Sequence, residues 1–262
     1  LAFIAFSLAT SATYIFNDVL DRKSDRLHPI KKNRPVAKED LPVFFAIFEL
    51  VILAFISLHV AGGLGRLFFL SVAAYLILQA LYSLGLKNLS TLDILMIAAG
   101  FIIRVYAGAF VINAHLSVWF LLCVISIALF LASGKRRAEL GVITASLGET
   151  RKSLTHYSKP LLDSYVTMFG NAAWMSWALF TFFESPSPTL PLWPFLAEIS
   201  KTTTISKLLM ITIPIVIFGI MRYESLIFED RSESPEKLLL TDKALVASVL
   251  IWVALVVFQY NC

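Results

Sequence analysis

A chain of 262 residues that is 58% hydrophobic and only 15% charged, with a mean hydropathy of +0.79, lies far outside the composition of soluble globular domains. Its net charge of +4 is not a nucleic-acid signal, because the basic residues lie in loops at one face of a set of apolar runs. Cys123 and Cys262 make no disulfide framework, His28, His59, His115 and His156 show no metal-ligand spacing, and no Walker loop, Gly-rich dinucleotide turn or Ser–His–Asp arrangement is present.

Hydropathy predicts eight bilayer-crossing runs, at about 1–20, 42–61, 66–84, 91–112, 116–133, 160–183, 207–222 and 243–260. The expected architecture is an all-α integral membrane protein made of one domain over 1–262, with no room for a soluble domain. The first run begins at Leu1 without an initiator Met, a charged leader region or a cleavage pattern, so an upstream segment is expected.

The first run ends in Asn17-Asp18-Val19-Leu20-Asp21-Arg22-Lys23-Ser24-Asp25-Arg26. If the helix continues, Asn17, Asp18, Asp21 and Asp25 fall on or near one face at spacings of three and four. Three carboxylates there repel one another, and the negative end of the helix dipole adds to the cost. An oxygen-only donor set with a carboxamide suits a hard divalent ion such as Mg²⁺, so these four are the candidate metal ligands. The alternative is a solvated acidic end balanced by Arg22, Lys23 and Arg26.

Next in order, Arg34-Pro35 closes the first basic loop, and Pro35 stiffens the approach to the second run. Glu49 and Gln79 are isolated polar residues, expected to act as interhelical glue. Tyr82, Lys87 and Asp93 sit where the third run gives way to the fourth, with Asp93 also suited to cap the fourth. Arg104 lies about a dozen residues from the nearest polar loop, a depth at which an arginine must face a polar interior or a partner; Asp21 and Glu139 are its expected resting partners. After the fifth run comes Gly134-Lys135-Arg136-Arg137-Ala138-Glu139-Leu140, readable as a membrane anchor with an internal Lys135–Glu139 pair or as a phosphate clamp. Tyr157 and Lys159 end the following loop, and 185–194, with four prolines and Trp193, suits an irregular interfacial segment.

Eighteen of the 22 basic residues fall in alternate loops, and the opposite loops hold only Arg66, Lys201 and Lys207. The positive-inside rule makes the basic face cytoplasmic, so each polar cluster opens toward a compartment where anionic phosphorylated metabolites occur.

The spacing Asn17-Asp18-x-x-Asp21-x-x-x-Asp25 at the end of a membrane helix resembles the first aspartate-rich motif of the UbiA prenyltransferase superfamily. Asp25-Arg26-x-His28-Pro29, Arg34-Pro35-x-Ala37, Tyr82 to Lys87, Gly100-Phe101-x-x-Arg104-x-x-Ala107-Gly108 and Gly134-Lys135-Arg136-x-Ala138-Glu139-Leu140 resemble its decaprenyl-phosphate phosphoribosyltransferase branch. Tyr157, Arg222-Tyr223 and Pro235-Glu236 followed by Asp242 extend that similarity along the chain. The resemblance implies a bundle of about nine helices, about eight of them here, around a central cavity open to the cytoplasm, with Mg²⁺ holding a diphosphate. It implies a helix ahead of Leu1. Where superfamily members carry a second aspartate-rich motif, this chain has Lys135, Arg136 and Arg137 around Glu139, which favours direct cationic clamping and the phosphoribosyl branch.

The expected reaction is transfer of phosphoribosyl from phosphoribosyl diphosphate to a polyprenyl phosphate in a bacterial plasma membrane. Asp21, Asp25 and Arg104 are the candidate catalytic groups, and Arg34, Tyr82, Lys87, Lys135, Arg136, Glu139 and Tyr157 the candidate substrate-binding ones. A second copy of the chain is a further candidate partner. One rival is a UbiA-type prenyltransferase acting on a prenyl diphosphate and an aromatic acceptor, which should want a second carboxylate-rich loop. The other is a transporter of a phosphorylated metabolite, which should show inverted repeats and broken helices.

Overall fold

A computed structural model describes residues 1–27, 31–143, 156–184, 209–229 and 239–261 of the chain, and the assigned elements among them are all helical. His28-Pro29, Arg151, Lys152, the proline-rich 185–194, Lys201, Lys207, Arg231, Pro235-Glu236, Lys237 and Cys262 lie outside the described residues. The helices are α1 (Ala2–Leu27), α2 (Pro35–Lys38), α3 (Val43–Leu64), α4 (Arg66–Leu84), α5 (Leu92–Ile112), α6 (Val118–Ile143), α7 (Lys159–Phe183), α8 (Ile213–Phe228) and α9 (Lys243–Asn261), with 3-10 turns at Lys31–Asn33 and Leu86–Asn88. Among the described residues, each of the eight predicted runs contains one α-helix, the run 207–222 from Ile213 onward. Among the described residues six helices are long and apolar enough to cross a membrane: α1, α3, α4, α5, Val118–Gly141 of α6, and Leu209–Phe228 including α8.

The chain forms two compact units, Leu1–His115 with Ile143–Ser158, and Leu116–Val142 with Lys159–Cys262. In the first, α1 packs on α3 and α4, and α4 packs on α5. Lipid tails are as apolar as leucine, so burial alone cannot drive this packing, and close van der Waals approach must. Small residues permit it. Ala5, Ala9 and Ala12 line one face of α1, Ala46 and Ala61 line α3, and Ala107 lines α5. Ser57 Oγ donates to the Ala5 carbonyl at 2.7 Å, a buried bond across α1 and α3. Phe68, Val72 and Tyr75 of α4 complete this core. Outward faces are apolar instead, with Phe44, Phe45, Phe48 and Phe55 of α3 all exposed. A single residue, Gly65, turns α3 into α4 at φ +132°, a conformation that a side chain would strain.

In the second unit, Leu162, Val166, Gly170, Ala173, Trp177 and Phe180 recur at three- and four-residue spacing along α7 and form its buried face. One core joins Phe130, Val166, Tyr223, Ile227 and Leu245; another joins Cys123, Trp177, Phe180 and Leu209. Trp177 satisfies its indole N–H by donating to Thr212 Oγ1 at 2.9 Å. Asp242 caps α9 by accepting from the Leu245 N–H at 2.9 Å.

Candidate functional site

The helix α1 runs unbroken to Leu27, so the acidic motif lies on its last turns, as the spacing requires. Two cations from later in the chain separate the carboxylates. Arg34 Nη1 donates to Asp18 Oδ1 at 2.7 Å and to Asp25 Oδ2 at 3.0 Å, and Asp25 is 5% exposed. Lys87 Nζ donates to Asp21 Oδ1 at 2.5 Å and to Asn17 Oδ1 at 3.1 Å, and Lys87 is 6% exposed.

Local sequence explains how both cations are delivered. Arg34 follows the Lys31–Asn33 turn, with its N–H bonded to the Lys31 carbonyl at 3.0 Å, and Pro35 starts α2 directly after it. Arg26 clasps this loop to the end of α1, donating to the Ala37 carbonyl at 3.0 Å and pairing with Glu39. Lys87 stands in the Leu86–Asn88 turn between α4 and α5. The sequence nominated both residues as substrate-binding cations and did not indicate these carboxylate partners.

The four candidate ligands do not close into one cage. Among the described residues no three Asp, Glu, His or Cys side chains gather closely enough to hold one metal ion. Repulsion is relieved by splitting the set into Asp18 with Asp25 around Arg34 and Asn17 with Asp21 around Lys87. In each half, two oxygens converge on one positive nitrogen. That donor chemistry fits a hard divalent cation such as Mg²⁺.

Tyr157 has a buried hydroxyl engaged at the start of α5. It accepts from the Thr91 N–H at 2.5 Å and donates to Asp93 Oδ1 at 2.7 Å, with Asp93 fully buried. Thr91 sits at φ +70°, a strained position for a β-branched residue, and the tyrosine holds it there. Asp93 also accepts from the Ile94 N–H at 2.9 Å. Tyr82 lies half-buried in the last turn of α4.

Arg104 departs from expectation in its partners. Among the described residues of its own unit it meets no carboxylate, Asp21 included. Its Nη2 donates to Tyr75 Oη at 2.5 Å and to Thr10 Oγ1 at 3.2 Å, and its guanidinium lies 4.8 Å from the Tyr75 ring centroid and 5.7 Å from that of Phe101. Tyr75 and Thr10 were missed by sequence reasoning. The available signal was a hydroxyl-bearing aromatic midway along the α4 run, at a depth comparable to Arg104 in α5.

In the second unit, α6 continues through the basic motif to Ile143, so Lys135, Arg136 and Glu139 lie on a helix end. Glu139 pairs with Arg136, which is 1% exposed, an ion pair the expected Lys135–Glu139 spacing did not include. Lys135 is half-buried. Arg137, also buried, pairs with Asp163 of α7 and lies 5.6 Å from the Phe228 ring centroid, tying α6 to α7 and α8. Gly134 has a packing reason: a Cβ there would stand 2.7 Å from Ile227 Cδ1 and 3.0 Å from Tyr223 Cε1. Two of the matched motifs, Gly134-Lys135-Arg136 and Arg222-Tyr223, are thus in contact. Arg222 in turn holds Asp242 through two bonds, at 3.2 and 2.6 Å, and with the Leu245 N–H this lowers the Asp242 carboxyl to a pKa of about 2.

The model of the UbiA prenyltransferase family matches residues 1–192. Decaprenyl-phosphate phosphoribosyltransferase of Mycolicibacterium smegmatis is 32% identical over 252 residues, covering 96% of this chain and 77% of that protein. The protein of the same name from Corynebacterium glutamicum is 33% identical over 259 residues, covering 98% of this chain and 74% of its own. A solved UbiA homolog from Archaeoglobus fulgidus bound to GPP and Mg²⁺ superposes with a TM-score of 0.71 at 15% identity, over 99% of this chain and 85% of that one. At that identity the likeness is one of fold.

Proposed function

The chain belongs to the UbiA prenyltransferase family, and from that premise we propose that this integral membrane protein transfers 5-phosphoribosyl from 5-phosphoribosyl 1-diphosphate to a polyprenyl phosphate. The supporting observation is the gathering of Asn17, Asp18, Asp21 and Asp25 with Arg34 and Lys87 at the end of α1. Oxygen donors and fixed cations so interleaved suit a substrate that brings both a metal ion and phosphate oxygens.

Asn17, Asp18 and Asp21 would hold Mg²⁺, which supplies positive charge against the donor's diphosphate. Arg34 donates from its planar fork to diphosphate oxygens, and Lys135 and Arg136 add charge where other superfamily members carry carboxylates. The bond from the anomeric carbon to the diphosphate oxygen breaks, and diphosphate leaves with the electron pair. Positive charge then grows on the ribosyl ring, and the carboxylate of Asp21 or Asp25 offsets it. An oxygen of the acceptor phosphate forms the new bond from the opposite side and inverts the anomeric centre. That phosphate is already anionic and needs no strong base; Lys87 and Arg104 are the cations that receive it. Tyr82, Tyr157 and Glu139 shape and orient the surrounding site.

The positive-inside pattern supports a site facing the cytoplasm, in a bacterial plasma membrane under this reading, where the polar donor is available and the lipid acceptor arrives from the bilayer. The test is purified protein with labelled phosphoribosyl diphosphate, a polyprenyl phosphate and Mg²⁺. Lipid-soluble label is expected. Its absence, alongside transfer from a prenyl diphosphate to an aromatic acceptor, would replace this reading with the prenyltransferase one.

A further inference from the structure

We infer that Tyr75, assisted by Thr10, is a positioning residue that holds the Arg104 guanidinium ready for the phosphate of the lipid acceptor, an inference that rests on the reading above. Arg104 occupies the middle of α5, where an arginine is costly unless its charge and donors are met. An arginine at such depth is commonly met by another ionisable group or by a backbone carbonyl. This one pairs with two neutral hydroxyls and a ring face, all through one edge of the guanidinium, so its positive charge is oriented but not cancelled. Its Nε and Nη1 N–H groups have no protein acceptor among the described residues. The complement of an oriented, uncancelled cation at this depth is an anion carried on a lipid.

The packing around Tyr75 serves that orientation. Tyr75 is 1% exposed, and its ring is wedged edge-on against Phe6 of α1 at 5.6 Å. Gly100, one turn before Arg104, makes room for it: a Cβ there would lie 3.6 Å from Tyr75 Cε2 and 3.0 Å from Gln79 Nε2. Ala107, three residues beyond Arg104, is fully buried in the same core. Small residues on both sides of Arg104 thus bring α5 close enough to α4 for the guanidinium to reach the Tyr75 ring and hydroxyl. The motif Gly100-x-x-x-Arg104-x-x-Ala107 is accounted for by a residue on another helix.

Position along α1 links this cluster to the reaction. Thr10 and Asn17 are seven residues apart, on nearly the same helical face and about 10 Å apart along the axis. Arg104 therefore stands about two helical turns from the Asn17–Asp21–Lys87 centre, on the apolar side of it. A phosphate on a polyprenyl chain meets both demands, a negative group at that depth and a chain that stays in the bilayer.

The experiment is a double-mutant cycle on equilibrium binding of a fluorescent polyprenyl phosphate to the protein in nanodiscs, with donor binding and thermal unfolding measured in parallel. Tyr75→Phe, which keeps the ring, should weaken acceptor binding about tenfold by removing a hydrogen bond to a charged group. Tyr75→Leu should weaken it further. Donor binding of Tyr75→Phe should stay at the parent value, and its unfolding should remain cooperative with the melting temperature lowered only by the loss of one buried hydrogen bond. Tyr75→Phe combined with Arg104→Met should bind no worse than Arg104→Met alone, because the tyrosine acts only through the arginine. Additive losses, or parental acceptor affinity in Tyr75→Phe, would overturn the positioning role, and coupling seen on donor binding instead would overturn the acceptor assignment. Parental affinity in Arg104→Met, or a parent protein that binds no polyprenyl phosphate, would defeat the underlying reading and not merely this inference.

Discussion

Replacing Lys87 with methionine keeps most of the side-chain bulk and removes the charge that holds Asn17 and Asp21 together. Lys87 has 8% of its side chain exposed and Asp21 has 25%, with 2.5 Å between Nζ and Oδ1. Breaking a buried, hydrogen-bonded charge pair costs about 3–5 kcal/mol, mostly because the surviving charge is stranded. Asp21 retains some access to water, which reduces the expected loss to about 2–3 kcal/mol. Denaturant or thermal unfolding in a mild detergent reads this directly. The diagnostic variant is Lys87→Met with Asp21→Asn: removing the stranded carboxylate should recover most of the lost stability, while leaving the protein inactive. Refutation would come from a single variant as stable as the parent, or from a double variant no more stable than the single one. Either result would mean that the pair contributes little and that Lys87 is placed by its turn alone.

Asp18→Asn and Asp21→Asn should each abolish transfer while preserving the fold, and isothermal titration should show weakened Mg²⁺ binding; normal turnover in either variant would remove the metal assignment. Arg136→Lys keeps the charge but loses the planar fork, so donor affinity should fall by about tenfold with acceptor affinity unchanged, and equal donor affinity would demote Arg136 to a partner of Glu139. Gly134→Ala should destabilise the second unit by about 1–3 kcal/mol, because the added methyl meets Ile227 at 2.7 Å and the Tyr223 ring at 3.0 Å; a parental melting temperature would show that α6 and α8 separate freely. Asp242 contributes stability that is fully present above its ordinary pKa of 3.8 and is lost as pH falls through about 2. In Arg222→Gln its carboxyl ¹³C titration should move up toward 3.8, and an unmoved midpoint would assign the shift to the helix cap instead.

Apolar run lengths were enough to locate the six helices that are long and apolar enough to cross a membrane among the described residues, because a helix in lipid must satisfy its backbone internally and its side chains answer mainly to the local solvent. The acidic motif was legible for the same reason. Asn17, Asp18, Asp21 and Asp25 are related by one helix's periodicity, and α1 continuing to Leu27 made that relation real. Arg104 announced itself through the cost of its depth. What stayed hidden were the partners: Lys87 lies 66 residues from Asp21, Arg104 lies 94 from Thr10, and Tyr157 lies 64 from Asp93. No periodicity relates positions on different helices; which of them meet depends on which faces pack, and in a bilayer small residues such as Ala9, Ala61, Gly100 and Ala107 decide that by how closely they let backbones approach. Local chemistry could therefore nominate the carboxylates and the cations, while the pairing of Arg34 with Asp18 and Asp25, and of Arg104 with a tyrosine rather than an acid, was decided only when the helices came together.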